Sequence, residues 1–210
     1  MPRAKKPIRP RSPAAVRKGD ILDAARSLFL ARGVHGVGLR HVAKAAGVSL
    51  GNIYNHYKNK EALFGALVDA LHLEWLDSTE PLVRYVAQQT FPRDLEGLGH
   101  AMRAMVERHE DYLRLIYVDI AEFNGVHVRD HYHKLAARFR AALGPHPPAM
   151  PDWIDPGVAF ALAYYQFANH FIVERMIGAR GHLGLDDDAA VRLIARLFHE
   201  GLGVPKEGAP

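Results

Sequence analysis

Side chains suited to contacting a nucleic acid are concentrated between positions 40 and 60 of the sequence. This stretch offers asparagine amides, tyrosine hydroxyls, imidazoles and basic groups. Asparagine can hydrogen-bond to two positions of adenine, leucine can contact the methyl group of thymine, and tyrosine, histidine and lysine can donate to phosphate. The stretch therefore has the chemistry of both base reading and phosphate binding.

Histidine is the other residue type whose spacing could do chemistry, since the chain has 13. His127 and His131 are four residues apart and, on a helix, would share a face with Asp130 close by, a spacing that can hold zinc. The glutamate that a zinc peptidase needs beside the first histidine is absent, because Val128 follows His127, and His133 would point away from that face. A metal-dependent enzyme or metal sensor at His127 and His131 is therefore the alternative to a DNA-binding function.

Composition excludes several classes of protein. With no cysteine, disulfides, thiolate metal sites and cysteine nucleophiles are ruled out. We find no glycine-rich phosphate loop, serine elbow or carboxylate pair, so we expect a protein that is not an enzyme, needs no cofactor and has no assigned metal ligand. No run of apolar residues is long enough for a membrane span or a signal peptide, and we expect a cytoplasmic protein.

The charge of +4 is divided unequally along the chain. From Met1 to Lys60 there are 13 lysines and arginines against Asp20 and Asp23, a net of +11, which leaves −7 for the remainder. A segment this basic attracts a polyanion, while the acidic remainder is repelled by one. One end of the chain is thus suited to nucleic acid. A basic structural DNA binder without an effector would also be basic, but it would not need the large acidic remainder.

The elements that position the polar stretch are predicted to be three helices. After a basic, disordered arm over residues 1–12, Ser12 and Pro13 are a helix start signal, and apolar residues at helical spacing continue to Gly33. A short second helix over 39–46 ends at Gly47. Ser49 is the predicted N-cap of a third helix from Leu50 to about Tyr57. Two short helices joined by a glycine turn are typical of a helix-turn-helix, which we assign to residues 13–59.

The remaining residues, 60–210, show helical periodicity without strand-like alternation, so the predicted fold class is all-α, with an N-terminal three-helix DNA-binding domain and a C-terminal helical bundle. The predicted helices are 60–78, 81–90, 94–109, 110–123, 126–143, 155–177 and 186–201.

The helix after Asp155 is apolar on two sides, which suggests a homodimer. One stripe contains Val158, Leu162, Tyr165, Ile172 and Met176, and the other contains Phe160, Tyr164, Phe167 and Phe171. Two stripes imply burial against the core and against something else. The last helix repeats the feature less strongly. We expect these helices to pair into a four-helix bundle across a two-fold axis, with the alternative that the helix is simply central in a monomer.

From Ile21 to Leu63 the chain resembles the TetR family of bacterial transcriptional repressors. The resemblance is gapless over more than forty positions. It is carried by Ile21, Ala24, Ala25, Leu28, Phe29 and Gly33, by the run from Val42 to Ser49, and by Gly51, Tyr54, Tyr57, Lys60 and Leu63. The resemblance implies a homodimer whose recognition helices enter successive major grooves of a palindromic operator and which a small molecule releases.

Site residues follow from the resemblance by position. The DNA-contacting residues that it implies are Arg40, Ser49, Leu50, Gly51, Asn52, Tyr54, Asn55, His56 and Lys60. Gly51 would let the backbone approach the duplex closely. One position departs from the family pattern, because Gly38 stands where the family usually has a threonine, so no hydroxyl is present to cap the second helix or to donate to phosphate.

The C-terminal bundle offers candidate residues for an effector pocket. Those expected to face its middle are Leu71, Trp75, Met102, Met105, Tyr112, Ile116 and Phe139, although ordinary core packing is the alternative for each. Aromatic and methionine side chains suit a largely apolar ligand. The sequence therefore predicts a ligand-responsive, DNA-binding regulator whose partners are double-stranded DNA, a second copy of the chain and a small-molecule effector.

Overall fold

A computed structural model describes residues 18–77, 80–145 and 150–202, with the side chain of Ala136 omitted. Over these residues the all-α prediction is confirmed. The helices are α1 (Lys18–Arg32), α2 (Leu39–Ala45), α3 (Leu50–His56), α4 (Lys60–Trp75), α5 (Pro81–Ala87), α6 (Leu95–Arg108), α7 (Glu110–Phe123), α8 (Arg129–Ala142), α9 (Pro156–Ile172) and α10 (Asp187–Leu202), with a π-helical segment, Val173–Ile177, directly after α9. None of the helices described here is long and apolar enough to cross a bilayer.

The chain divides into two compact units, with the boundary between Leu67 and Val68. In the N-terminal unit, α1 to α3 and the start of α4 enclose a small core. Ile21, Phe29, Val42 and Ile53 are fully buried, and the ring of Phe29 meets that of Phe64 edge-on at 5.9 Å. The predicted start of the first helix at Ser12 and the basic arm lie outside the described residues. The apolar spacing that predicted these helices is thus the spacing that builds the core.

The core of the C-terminal unit forms where α6, α9 and α10 pack closely. Gly99 of α6 is the point of closest approach, because a Cβ atom there would lie 2.7 Å from Val191 and 2.8 Å from the ring of Phe167. Phe160 of α9 is the centre of an aromatic cluster, with ring centroids 4.8 Å from Phe91 and 4.5 Å from Phe139. These contacts hold α9 along the middle of the unit.

The two apolar sides of α9 have different environments within one chain. Phe160, Phe167 and Phe171 are buried, whereas Val158, Leu162 and Tyr165 are 39%, 49% and 38% exposed. On α10, Leu193 and Leu197 are also exposed, at 46% and 61%. We call these five residues the outer apolar rows. The side of α9 with the phenylalanines is therefore the core side, and the other side is exposed in a single chain.

The alternative of a metal site at His127 and His131 is not supported. Helix α8 begins at Arg129 and not at position 126, so His127 lies in the turn before the helix and shares no helix face with His131. His127 Nδ1 lies 2.6 Å from Oδ1 of the fully buried Asp119, which also accepts from the backbone N–H groups of His127 and Val128 at 3.1 Å. The His131 ring instead stacks on His72, with centroids 3.6 Å apart. Each histidine thus has its own partners, and together they form no ligand set.

Candidate DNA-binding interface and ligand cavity

A tight turn joins α2 to α3 in the N-terminal unit. Gly47 has a φ of +68°, a conformation that glycine adopts without strain. The N–H of Val48 donates to the carbonyl of Ala43 at 2.9 Å. Ser49 then caps α3, because its Oγ accepts from the N–H of Asn52 at 3.1 Å, as the sequence predicted. The turn and the cap fix the direction of α3 relative to α2.

Helix α3 buries one residue and exposes most of the others. Ile53 is fully buried, whereas Gly51, Tyr54, Asn55 and His56 are exposed. Gly51, Tyr54 and Asn55 share a face, since residues three and four apart are neighbours on a helix. Of the other residues implied on this helix and its cap, Leu50 and Asn52 are half-buried and Ser49 is exposed. The face opposite Ile53 carries amide, hydroxyl and backbone groups at the surface.

Two of the implied DNA contacts have partners or surroundings that the sequence did not indicate. The Lys60 ammonium donates to the carbonyl of Val34 at 2.6 Å and lies 3.5 Å from that of His35, so it ties α4 to the loop after α1. The side-chain oxygen of Asn52 is buried and has no hydrogen-bond partner among the described residues. Asn55 is exposed, so its side chain is more accessible than that of the half-buried Asn52.

Basic groups near α3 include two that sequence reasoning did not select. Arg40 is exposed at the start of α2, and Lys44 and Lys58 are also exposed, near the end of α2 and just after α3. The spacing signal for Lys58 was present in the sequence, because it stands seven residues after Gly51 and four after Tyr54. Gly38 is the position that departs from the family pattern. The ring Nδ1 of His41 accepts from the Gly38 N–H at 3.1 Å, so a side chain still caps the start of α2.

The C-terminal unit contains a small cavity of about 40 Å³ between α4, α7, α8 and α9. A second hollow of about 250 Å³ adjoins it and shares Trp75, Leu113, Tyr132 and Tyr164 with it. Of the candidate pocket residues, Trp75, Tyr112 and Ile116 line the cavity. Leu71, Met102 and Met105 are buried in the core, and Phe139 packs on Phe160. The residues that sequence reasoning missed are His72, Leu113, His131, Tyr132, Leu135 and Tyr164.

One end of the cavity is polar and centred on His72. Arg138 lies with Nη1 2.8 Å from His72 Nε2, and Tyr112 Oη lies 2.9 Å from His72 Nδ1. A guanidinium can only donate, so Nε2 accepts and Nδ1 carries the proton that is donated to Tyr112. Burial, together with His131 and the Arg138 cation, lowers the pKa of His72 to about 4. His72 is therefore neutral near pH 7, and Tyr112 keeps its hydroxyl proton, because burial raises its pKa.

Comparison with known proteins identifies the N-terminal unit. Residues 21–67 match the family described as bacterial regulatory proteins, tetR family. The chain is 31% identical over 115 residues to the HTH-type transcriptional repressor KstR2 of Mycobacterium tuberculosis, covering 50% of this chain and 52% of that protein. It is 44% identical over 55 residues to the HTH-type transcriptional regulator TtgR of Pseudomonas putida, or 26% of each chain. The chain thus matches about half the length of KstR2 and a quarter of TtgR.

The fold extends the likeness beyond the matched segment. The putative transcriptional regulator SCO4942 from Streptomyces coelicolor has a similar structure, with a TM-score of 0.61 at 19% identity over 90% of this chain and 99% of that one. The relatives named above are transcriptional regulators, and the likeness in fold covers the helical C-terminal unit as well as the helix-turn-helix. On this agreement between matched residues and turn geometry, residues 21–67 match the DNA-binding segment of the TetR family of bacterial regulators, and the chain as a whole is similar in fold to SCO4942.

Proposed function

We propose that this protein is a sequence-specific DNA-binding transcriptional regulator, a repressor that a small-molecule effector releases from a palindromic operator. In this proposal residues 13–59 bind DNA, residues 60–210 bind the effector and form the dimer, and the protein acts in the cytoplasm without catalysing a reaction. The observation that carries the proposal is the exposed face of α3, where Gly51, Tyr54 and Asn55 stand opposite the buried Ile53.

The electrostatics of the two parts of the sequence support DNA as the partner. The N-terminal 60 residues carry a net charge of +11 and the remainder −7. Exposed Arg40, Lys44 and Lys58 are placed on or beside the two helices of the helix-turn-helix. Phosphate contacts by such residues position a protein on DNA, whereas contacts to base edges read the sequence. We assign the first role to these three residues and the second to Asn55, with Leu50 and Asn52 beside it.

The proposed division of roles is tested by salt dependence. Binding to a mixed-sequence duplex is measured by fluorescence anisotropy over a range of salt concentrations for the wild type, Lys58→Ala and Asn55→Ala. Removing a phosphate contact should reduce the slope of log affinity against log salt by about one per protomer, so Lys58→Ala should flatten the slope. Asn55→Ala should leave it unchanged. An affinity of the wild type that does not change with salt concentration would contradict the proposed phosphate contacts.

The cavity in the C-terminal unit supports a largely apolar effector with a polar group at one end. Trp75, Leu113, Ile116 and Leu135 supply apolar surface. The Tyr112 hydroxyl accepts from His72 and can still donate to a ligand oxygen. A neutral His72 and a protonated Tyr112 at pH 7 favour a ligand with a carbonyl or hydroxyl group over one that needs a fixed counter-charge.

The outer apolar rows support a homodimer, as is typical of the family. Val158, Leu162 and Tyr165 of α9 and Leu193 and Leu197 of α10 are exposed in a single chain. Contiguous exposed apolar surface on a folded protein marks an interaction site, and a closed two-fold pair buries the same rows of both copies. Two copies of α9 and α10 would give the four-helix bundle.

The proposed coupling uses the helix that carries residues of both sites. Helix α4 begins at Lys60, which ties it to Val34, and ends at Trp75, which lines the cavity. A ligand that binds one position of α4 more tightly than the other changes operator affinity by up to the ratio of its two affinities. A coupling free energy of about 1–3 kcal/mol corresponds to a change of about 5- to 150-fold. Trp75→Ala should therefore weaken the response to an effector while DNA binding by the ligand-free protein is kept.

A further inference from the structure

A cluster of His170, Glu174 and His182 lies in the C-terminal unit, apart from the residues that line the cavity. One potential ligand atom from each residue lies within 4.8 Å of the other two. His170 is in the last turn of α9, Glu174 is inside the π-helical segment, and His182 is in the loop that follows. The i, i+4 spacing of His170 and Glu174 and the return of the loop bring the three together.

The hydrogen bonds of the cluster are incomplete. The carboxylate of Glu174, only 3% exposed, accepts from the N–H of Gly181 at 2.9 Å, and its Oε1 lies 2.8 Å from His182 Nδ1. His170 is 5% exposed, and neither of its ring nitrogens has a hydrogen-bond partner among the described residues. Buried polar atoms are nearly always paired, so an imidazole with two unpaired nitrogens beside a carboxylate and a second imidazole points to a missing partner.

We propose that His170, Glu174 and His182 form a binding site for a divalent transition-metal ion, zinc in particular. Two imidazoles and one carboxylate are a ligand set that zinc accepts, with water in a fourth, open position. Magnesium and calcium require mainly oxygen ligands, and this cluster supplies a single carboxylate. These residues differ from the rejected pair at His127 and His131, and the proposal does not depend on the proposed function.

The geometry needs only a modest adjustment to receive the ion. Zinc–nitrogen and zinc–oxygen bonds of about 2.0–2.1 Å in a tetrahedron place ligand atoms about 3.3 Å apart. The cluster has to contract from at most 4.8 Å. His182 is exposed in the loop next to Gly181, so the adjustment falls on a side chain that the core does not enclose.

Solvent reaches the site from one side, through a hollow that carries four carboxylates and three guanidinium groups. Glu174 and Gly181 line an open surface hollow together with Asp186, Asp187 and Asp188. Arg103, Arg175 and Arg180 border the same hollow. Arg103 is paired with Asp188 at 3.0 Å, and Arg175 is paired with Glu107 at 3.0 Å. An ion bound there would connect the end of α9 to the loop before α10.

Zinc titration of the full chain against a chromogenic indicator tests the proposal. The protein is first stripped with a chelator and freed of any histidine tag. The wild type should bind one zinc ion per chain more tightly than any further equivalents, and cobalt at the same site should give the intense visible bands of a tetrahedral complex. Magnesium should not compete.

The matched variants are His182→Ala and His133→Ala, which both remove an exposed histidine. Because loss of even an outer partner weakens metal sites by about 10- to 100-fold, His182→Ala should reduce the affinity of the first equivalent at least about tenfold. His133→Ala should leave it unchanged, and zinc should raise the Tm of the wild type and of His133→Ala only. Equal zinc affinity in wild type and His182→Ala, or no tight equivalent in the wild type, would reduce the cluster to a hydrogen-bonded contact between loop and helix.

Discussion

At the scale of single residues, the environment of a side chain decides its role more than its type does. Lys60 and Lys58 are both lysines close to α3, but Lys60 donates to the Val34 carbonyl while Lys58 is exposed. The sequence shows the two positions but not the carbonyl, which the loop after α1 supplies from 26 residues away. For this reason the family pattern could suggest which residues contact DNA without separating proposed phosphate contacts from structural lysines.

The variant Gly51→Ala should change folding stability and DNA affinity in opposite directions. A Cβ atom at this position would meet only Ser49 Oγ at 3.8 Å, so the protein has room for it. Alanine in place of glycine inside a helix should raise the free energy of unfolding by about 0.5–1 kcal/mol. The added methyl group should nevertheless weaken operator binding, because it stands on the face proposed to approach the duplex. Urea unfolding and anisotropy titrations measure the two effects.

The control for Gly51→Ala is Gly19→Ala, on α1 of the same unit. Among the described residues, nothing lies within 4 Å of a Cβ atom at Gly19. This variant should gain similar stability and keep the operator affinity of the wild type. If Gly51→Ala also binds DNA as tightly as the wild type, the backbone of α3 does not approach the duplex at Gly51.

The lowered pKa of His72 predicts a pH dependence of stability. The folded protein holds His72 with a pKa of about 4, while an unfolded histidine titrates near 6.5. Between these values the unfolded chain binds more protons, so this residue's contribution to stability is present above about pH 6.5 and is lost as the pH falls toward 4. The full loss is about 3 kcal/mol, at 1.36 kcal/mol per pKa unit.

His72→Gln removes the titrating group and keeps a polar side chain at the end of the cavity. Between pH 7 and pH 5, its free energy of unfolding, measured with urea, should fall less than that of the wild type. An equal fall in both proteins would mean that other groups cause the acid sensitivity.

At the scale of elements, the helices could be predicted closely from apolar spacing and capping residues. The predicted helix over 110–123 matches α7 at both ends, and Ser49, Asp94 and Asp155 cap α3, α6 and α9. The start of α8 was placed too early because the turn before it depends on the buried Asp119, whose contacts are not periodic. The π-helical segment after α9 has no sequence signal of this kind. The position of Glu174 beside His170 and His182 was therefore not predicted.

Gly99→Ala tests the close packing of α6 on α9 and α10. Helix propensity alone would make alanine stabilising at this position by about 1 kcal/mol. The added carbon would, however, lie 2.7 Å from Val191 and 2.8 Å from Phe167, and overpacking of this kind costs about 1–3 kcal/mol. The free energy of unfolding should therefore decrease.

Gly201→Ala, in the last turn of α10, is the control for Gly99→Ala, since a Cβ atom there has none of the described residues within 4 Å. It should be neutral or slightly stabilising under the same urea titration. Stabilisation of both variants would show that α6 has space against its neighbours.

At the scale of the whole molecule, the account requires two copies of the chain. Sequence spacing revealed two apolar sides of α9, but only the structure shows that Phe160 and Phe167 face the core while Val158 and Leu162 are exposed. The cavity was predicted less well, because four helices contribute to it and helical spacing within one chain segment cannot show which side chains of different helices meet. Three residues that line the cavity, Trp75, Tyr112 and Ile116, were among the predicted pocket residues. The polar group around His72 was not predicted.

Leu162→Glu tests the proposed dimer. An unpaired carboxylate in a buried apolar interface is strongly unfavourable, so the variant should sediment as a monomer or aggregate. Ala121→Glu adds the same charge at an exposed position of α7 and should leave the sedimentation coefficient of the wild type unchanged. If Leu162→Glu sediments as the wild type does, the outer apolar rows are not the interface.

The central claim is that a dimer reads DNA sequence through α3, and selection from a pool of random duplexes tests it most directly. The wild type should enrich an inverted repeat whose half-sites lie about one helical turn, 34–36 Å, or a multiple of it apart. Asn55→Ala should enrich the same repeat with one base pair in each half-site no longer specified, a loss of about 1–3 kcal/mol of discrimination. Enrichment of no sequence by the wild type, or of an identical sequence profile by both proteins, would contradict the account.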